Sequence, residues 1–149
     1  MGFSIEPSHE RSAIWAARLR DFLHECVSSA TSEEEDRIRE AALLLARMGG
    51  KDFRRVDPLA IEAMLASGAG ESAVLELVGP QVPFIVSRGG NGRCLASLVM
   101  SDGVEEVLAE GASLALAMLA AYAAFLLQDM QQDEAHGGMR AMEAASRLH

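Results

Sequence analysis

Apolar residues in the first 70 positions recur at intervals of three and four residues, which is the period of an amphipathic helix. Ser8 can cap the first such segment, because its hydroxyl can accept a hydrogen bond from a free N–H group of the first turn. The apolar stripe of this segment comprises Trp15, Leu19, Phe22, Cys26 and Ala30. The pattern predicts one continuous helix with a single buried face.

A second helix is expected after Thr31 or Ser32, with Glu34 or Glu35 placed to complete a capping box. The acidic first turn suits the positive end of the helix dipole. The buried stripe of this helix comprises Ile38, Ala42, Leu45 and Met48. The pair Gly49-Gly50 should end it.

Asp57-Pro58 predicts a third, short helix, because an aspartate cap followed by proline suits the start of a helix. Its apolar positions are Leu59, Ile61, Met64 and Leu65. We expect it to end near Gly68. The apolar run at residues 74–78 can then form a strand.

From residue 82 onward, glycine-containing turns separate short apolar runs. Three runs, 82–88, 93–100 and 104–109, are joined by residues 89–92 and by Asp102-Gly103. Asn-Gly and Asp-Gly supply the positive φ angles that tight hairpins need. The pattern predicts a short antiparallel β-meander of three strands, or four if residues 74–78 join it.

Residues 104–109 have a second interpretation, in which Asp102 caps one long helix that runs from Gly103 to Gln128. Gly111 in the middle of that helix argues against it. The apolar runs on both sides of Asp102-Gly103 also favour a hairpin.

The meander is expected to have apolar residues on both faces. A turn at Asp102-Gly103 pairs Leu98 with Val107, which predicts one face comprising Cys94, Ala96, Leu98, Met100, Val107 and Ala109. The second face holds Leu95, Val99 and Leu108. A four-residue loop in the first hairpin would add Phe84 and Val86 to the second face and set Arg88 opposite Arg93. Helices can cover both faces, or one face can be a subunit contact.

Residues 111–127 carry no charge and predict a long buried helix. As a helix they span roughly 26 Å, at the lower limit for a hydrocarbon layer of about 30 Å. The segment is rich in alanine and its flanks are acidic, so we expect a core or subunit-contact helix rather than a membrane span. Residues 129–149 should form a frayed C-terminal helix.

Composition limits the classes of function. The 149 residues suit one domain, and a hydrophobic fraction of 50% excludes a disordered chain. A net charge of −9 disfavours nucleic acid as a partner. Lys51 is the one lysine among 13 basic residues, a bias typical of GC-rich bacterial genomes. Residues 1–10 lack the basic and apolar order of a signal peptide, so a cytoplasmic protein is expected.

The loop at residues 87–93 contains the one candidate ligand site. Arg88, Asn91 and Arg93 lie among three glycines, a composition that can hold a small anion. The spacing matches no phosphate-binding motif, and no helix follows the loop. Solvated arginines on a hairpin are the simpler interpretation. A second basic group, Arg47 with Lys51, Arg54 and Arg55, is expected to be solvated or to meet the acidic run at residues 33–36.

No motif for catalysis, metal binding or cofactor binding is present. Cys26 and Cys94 lie 68 positions apart without a CxxC pattern, and we interpret both as buried apolar groups. The four histidines lack metal-ligand spacing. An enzyme would need residues that only the fold brings together, such as His24 with Cys94.

The sequence therefore predicts a single α+β domain over residues 1–149, with a helical part (1–70), a meander plus helix (72–128) and a C-terminal tail or helix (129–149). The favoured function is a small acidic bacterial interaction or adaptor protein that forms a homodimer and needs no cofactor, metal, membrane or nucleic acid. The alternative is a regulatory domain that binds a small anion through Arg88, Asn91 and Arg93.

Overall fold

The computed structural model describes residues 7–48 and 56–147, with side chains described for residues 10–48, 56–135 and 137. Within these residues the chain forms α1 (Pro7–Ser28), α2 (Glu34–Met48), α3 (Pro58–Ala66), α4 (Gly70–Val78), β1 (Phe84–Arg88), β2 (Cys94–Val99), β3 (Glu106–Gly111) and α5 (Leu114–Arg147). The strands form an antiparallel sheet in the order β1-β2-β3. The predicted α+β architecture, with helices first, then a meander and then a long helix, is confirmed.

The prediction of a strand at residues 74–78 is wrong, because these residues form α4. Its buried side chains are Ala73, Val74, Leu77 and Val78, which follow a helical spacing. Leu75, which a buried strand would cover, is 45% exposed. Four α-helices rather than three therefore precede the sheet within the described residues.

The start of α3 was predicted correctly, because neighbouring residues in the sequence form its N-terminal cap. The Asp57 carboxylate accepts a hydrogen bond from the backbone N–H of Leu59 at 2.9 Å, and Pro58 occupies the first helical position. The predicted cap of α1 is wrong, because that helix already includes Pro7 before Ser8. The predicted end of α2 at Gly49-Gly50 lies outside the described residues.

The start of α2 differs from the predicted capping box by one residue. A 3₁₀ turn over Thr31–Glu33 precedes the helix, and the Ala30 N–H donates to the Glu33 carboxylate at 2.9 Å. The reciprocal backbone bond, from the Glu33 N–H to the Ala30 carbonyl, is also 2.9 Å. Ala30 is exposed and lies beyond α1, so the buried stripe of α1 ends at Cys26.

The second hairpin has the predicted register. Leu98 pairs with Val107, and residues 106–111 form a strand, so the alternative of one helix from Gly103 is wrong. The Asp102 carboxylate accepts hydrogen bonds from the N–H groups of Val104 and Glu105, both at 2.9 Å. Gly103 has a φ of +74°, which explains why glycine follows this aspartate.

The register of the first hairpin differs from the predicted register by one residue. Arg88 pairs with Cys94 rather than with Arg93, since the Gly89 N–H donates to the Arg93 carbonyl at 2.8 Å and three residues close the turn. Gly92, with a φ of +83°, ends this turn as glycine does in three-residue hairpin loops. Because side chains alternate along a strand, this shift moves Phe84 and Val86 to the face that holds Cys94.

The core lies between one face of the sheet and α5. This helix contacts all three strands and also α1, α2 and α4. Its residues 115–121 are buried without exception. Ser113 caps it, because its Oγ accepts the Leu116 N–H at 3.2 Å and also donates to the Glu34 carboxylate. The helix continues through Gly137 to Arg147, so it extends over about 51 Å.

Among the described residues, one stretch is long and apolar enough to cross a membrane by length and composition. It covers Leu114–Ala135 and has a mean hydropathy of 1.4. However, 56% of the apolar window is buried inside the fold, and the core helix of a soluble domain meets the same criterion. This observation is therefore weak evidence for a membrane span.

Candidate functional site

The face of the sheet opposite α5 carries exposed apolar side chains. We call it the outer sheet face; by alternation along the strands it comprises Ile85, Ser87, Leu95, Ser97, Val99, Glu106, Leu108 and Glu110. Ile85, Leu95 and Leu108 are 73%, 39% and 57% exposed. Ser97 pairs with Ile85 on one side and with Leu108 on the other, so both apolar residues lie in one row across the strands. Among the described elements, the helices cover only the opposite face.

The two carboxylates of the outer sheet face both have polar partners. Ser97 Oγ donates to Glu106 Oε2 at 2.7 Å, and Arg93 Nε lies 3.5 Å from Glu110 Oε2. Ser97 lies in the middle of the apolar row, so its hydrogen bond brings the Glu106 carboxylate to the row itself, and Glu110 lies beside Leu95. Each carboxylate therefore has one polar partner within this face.

Two of the three loop residues predicted to bind an anion make hydrogen bonds within the fold. Asn91 Oδ1 accepts the Arg93 N–H at 3.0 Å, which stabilises the turn. Arg93 Nη2 donates to the Val27 carbonyl at 3.1 Å and so ties the hairpin to α1. Arg88 is exposed at the end of β1. Only Arg88 offers a guanidinium with no described hydrogen bond, and the anion site stays a prediction.

A charged cluster between α1 and α2 was not predicted from the sequence. Arg37 Nη1 lies 2.8 Å from Glu25 Oε2 and 3.0 Å from Glu40 Oε2, and the Arg37 side chain is only 14% exposed. Desolvation raises the pKa of Glu40; Arg37 opposes this shift and Glu25 adds to it. The spacing of Arg37 and Glu40 was a signal for a helical ion pair, but the contact with Glu25 depends on how the two helices pack.

This cluster lacks the features of a catalytic centre. Burial raises the pKa of the Cys26 thiol to about 12, against an opposing effect of Arg37, so the thiol stays protonated and unreactive. The adjoining cleft of about 300 Å³ is open and contains Arg18, Asp21 and Arg47 beside the two glutamates. Positively and negatively charged side chains therefore line this cleft together.

The remaining residues considered for catalysis or metal binding lie in different environments, some buried and some exposed. Cys94 is buried and free, which confirms with Cys26 the interpretation of both cysteines as buried apolar groups. His24 is exposed, so a pair of His24 with Cys94 would need the thiol to leave the core. Within the described residues, no three His, Cys, Asp or Glu side chains converge as metal ligands. The residues Lys51, Arg54 and Arg55 of the predicted basic group lie outside the described part of the chain.

An apolar cleft opens beside β1, where α4, β1 and α5 meet. Its volume is about 140 Å³. The apolar lining includes Val74, Leu75, Phe84, Val86, Leu114 and Met118, and Glu71 is the ionisable residue in the lining. The sequence did not predict this cleft, because one of its walls is the helix that was predicted as a strand.

The chain matches no family model, no curated protein and no solved structure. Function is therefore inferred from the surfaces of this chain alone.

Proposed function

We propose that this protein is a small acidic interaction or adaptor protein without catalytic activity, which forms a homodimer through the outer sheet face. The observation that carries the proposal is the row of exposed Ile85 and Leu108, with Leu95 beside it. Exposed apolar side chains that lie together on one face are candidates for contact with another protein. A cytoplasmic location and a bacterial source belong to the same proposal.

The buried state of α5 supports the choice of the sheet as the contact surface. The alanine-rich face of this helix was the other candidate, but Ala117, Ala120 and Ala121 have no exposed area in the described fold. Two outer sheet faces can instead pack against each other about 10 Å apart, as sheets do in a β-sandwich. The same patch then serves both subunits, as a two-fold contact requires.

The area of the outer sheet face limits how tightly two copies are expected to bind each other. Three strands of five or six residues cover about 14 Å by 18 Å, or roughly 250 Å² in plan. This is well below the ~800 Å² per partner of a standard stable interface. We therefore expect a weak dimer whose population depends on concentration, rather than an obligate one.

Sedimentation equilibrium tests the proposal. The mass should rise with concentration from the 15.9 kDa of one chain to twice that value. Leu108→Lys, at the β3 end of the row, should shift the protein to the monomer, because dimerisation would bury its charge. Leu59→Lys is the matched control, since Leu59 is 77% exposed on α3, away from the sheet. A monomer at all concentrations, or a dimer that Leu108→Lys leaves intact, would exclude this contact.

A further inference from the structure

The outer edge of β1 has backbone groups available for another strand. The Val99 N–H donates to the Pro83 carbonyl at 3.0 Å, and the Gly89 N–H donates to the Arg93 carbonyl at 2.8 Å. Hydrogen-bonded and non-hydrogen-bonded pairs alternate in an antiparallel ladder, so the backbone groups of Ile85 and Ser87 face β2. Those of Phe84, Val86 and Arg88 therefore face outward, where no described strand follows.

The apolar cleft lies directly beside this edge, because Phe84 and Val86 contribute both the outward backbone groups and part of the cleft lining. A strand added to β1 would place every second side chain on the cleft side of the sheet. The volume of about 140 Å³ is close to the ~150 Å³ of an apolar cavity that holds one benzene-sized group. It is well below the ~300–1,000 Å³ of a site for a whole small-molecule ligand.

We propose that β1 and the cleft bind an extended peptide segment of another protein by strand addition. The peptide places one large apolar side chain in the cleft and a basic side chain beside Glu71. This inference concerns a different surface from the outer sheet face. A failure to dimerise leaves it intact, and a failure to bind peptides leaves the dimer intact.

Charge favours a basic peptide over a second copy of this chain. Glu71 is exposed and is the ionisable residue in the cleft lining, so a lysine or arginine of the peptide has a carboxylate to meet. A second copy that paired through the same edge would bring a second Glu71 carboxylate rather than a cation.

The other edge of the sheet is less suitable. The outer sheet face carries Glu106 and Glu110 on β3, and α1 contacts this strand. The edge of β1 has a proline before it and Arg88 at its end, but the four residues between them carry no charge. Edges that natural proteins protect from pairing usually carry charged residues or proline within the strand. The middle of β1 is therefore the open position for a partner strand.

A phage-displayed library of random peptides, selected on the immobilised protein, tests the inference. Enriched peptides should carry apolar residues at alternate positions and a lysine or arginine close to the one that fills the cleft. Each enriched peptide is then synthesised, labelled with a fluorophore and titrated by anisotropy. If no peptide is enriched, or if enriched peptides share no alternating pattern, strand addition is excluded.

Amide hydrogen exchange locates the bound peptide without any substitution. In the free protein the N–H groups of Val86 and Arg88 should exchange faster than those of Ile85 and Ser87, which bond to β2. A peptide bound by strand addition should slow exchange at Val86 and Arg88. Slower exchange confined to β3 would instead place the peptide at the other edge and overturn the inference.

Two variants with matched controls complete the test. Val86→Pro removes an outward N–H while keeping the bonds to β2, and should weaken peptide binding about tenfold. Leu59→Lys, at an exposed position of α3 away from the sheet, should leave affinity unchanged. Glu71→Lys should reverse the preference of the site from basic to acidic peptides, whereas Asp133→Lys on α5 should not. Equal binding by wild type, Val86→Pro and Glu71→Lys would exclude the site.

Discussion

Gly111 lies where the chain leaves β3 for α5, and the backbone of the helix passes very close to it. A Cβ atom at this position would stand 2.5 Å from the Ala117 nitrogen and 2.8 Å from the Leu116 carbonyl carbon. Both atoms belong to the backbone, so neither can move without shifting the helix. We expect Gly111→Ala to lower the free energy of unfolding by about 2–3 kcal/mol.

Replacing Gly137 with alanine is expected to have the opposite effect on stability. It lies inside α5, and a Cβ there would meet no atom within 4 Å. Alanine should therefore stabilise the helix by about 0.5–1 kcal/mol through its higher propensity. Urea denaturation of both variants measures the two effects. Equal stability of Gly111→Ala and wild type would show that the close approach at Gly111 is not rigid.

Arg88 and Arg93 are expected to differ in their contribution to stability. Because Arg93 bonds to the Val27 carbonyl and lies near Glu110, Arg93→Ser should cost about 1 kcal/mol. Arg88 is exposed at the strand end, so Arg88→Ser should stay within about 0.5 kcal/mol of wild type. Thermal and urea unfolding of the single variants separates the two roles. Equal costs would mean that the tie between the hairpin and α1 contributes nothing.

The same variants examine the anion-binding alternative. Phosphate should leave the melting temperature unchanged, since Asn91 and Arg93 already serve the loop. A saturable rise with phosphate that is lost in both Arg88→Ser and Arg93→Ser would favour the regulatory-domain alternative, because a ligand at a hundred times its dissociation constant adds roughly 2.7 kcal/mol.

At the level of elements, the contact between α1 and α2 predicts a pH dependence. The folded pKa of Glu40 lies above its ordinary value of 4.5, chiefly because of desolvation. Its protonation therefore stabilises the fold at low pH, and this contribution is lost as pH rises through the folded pKa. Relative to Glu40→Gln, the wild type should gain stability when the pH falls from about 7 to about 4.

Glu62 on α3 is the matched control, because its contribution to stability should change with pH in the opposite direction. Its hydrogen bonds from Arg39 lower its pKa, so its contribution is present above the ordinary value and is lost as pH falls through the folded pKa. Relative to Glu62→Gln, the wild type should lose stability over the same change of pH. Chemical denaturation at the two pH values measures both differences. Parallel behaviour of the two variants would contradict the assigned environments.

For the whole molecule, we expect α5 to stay inside the fold rather than in a bilayer. The buried run at residues 115–121 packs against the sheet and α1, and unfolding this contact would expose the core of the domain. The untagged protein should therefore remain in the supernatant after cell lysis. Recovery in the membrane pellet after a carbonate wash would show that the apolar helix spans or enters the membrane.

Features controlled by neighbouring residues were predictable from the sequence. Asp57 and Pro58 define the start of α3 by themselves, and the Asp102 side chain bonds to the next turn of chain. The register of β2 with β3 followed from that turn. In the first hairpin, a glycine-rich loop permits closure by three residues or by four, and one residue of difference exchanges the two faces of β1.

The sequence by itself determined the α+β class, the meander and the buried helix, because periodicity and turn residues act over a few positions. The tertiary structure alone decided that residues 74–78 are helical, since a short apolar run suits either element until its neighbours are known. It also decided which face of the sheet is covered, that Glu25 meets Arg37, and that α4 forms a cleft with β1. These features join residues far apart in the chain, so their energies depend on packing that no local pattern contains.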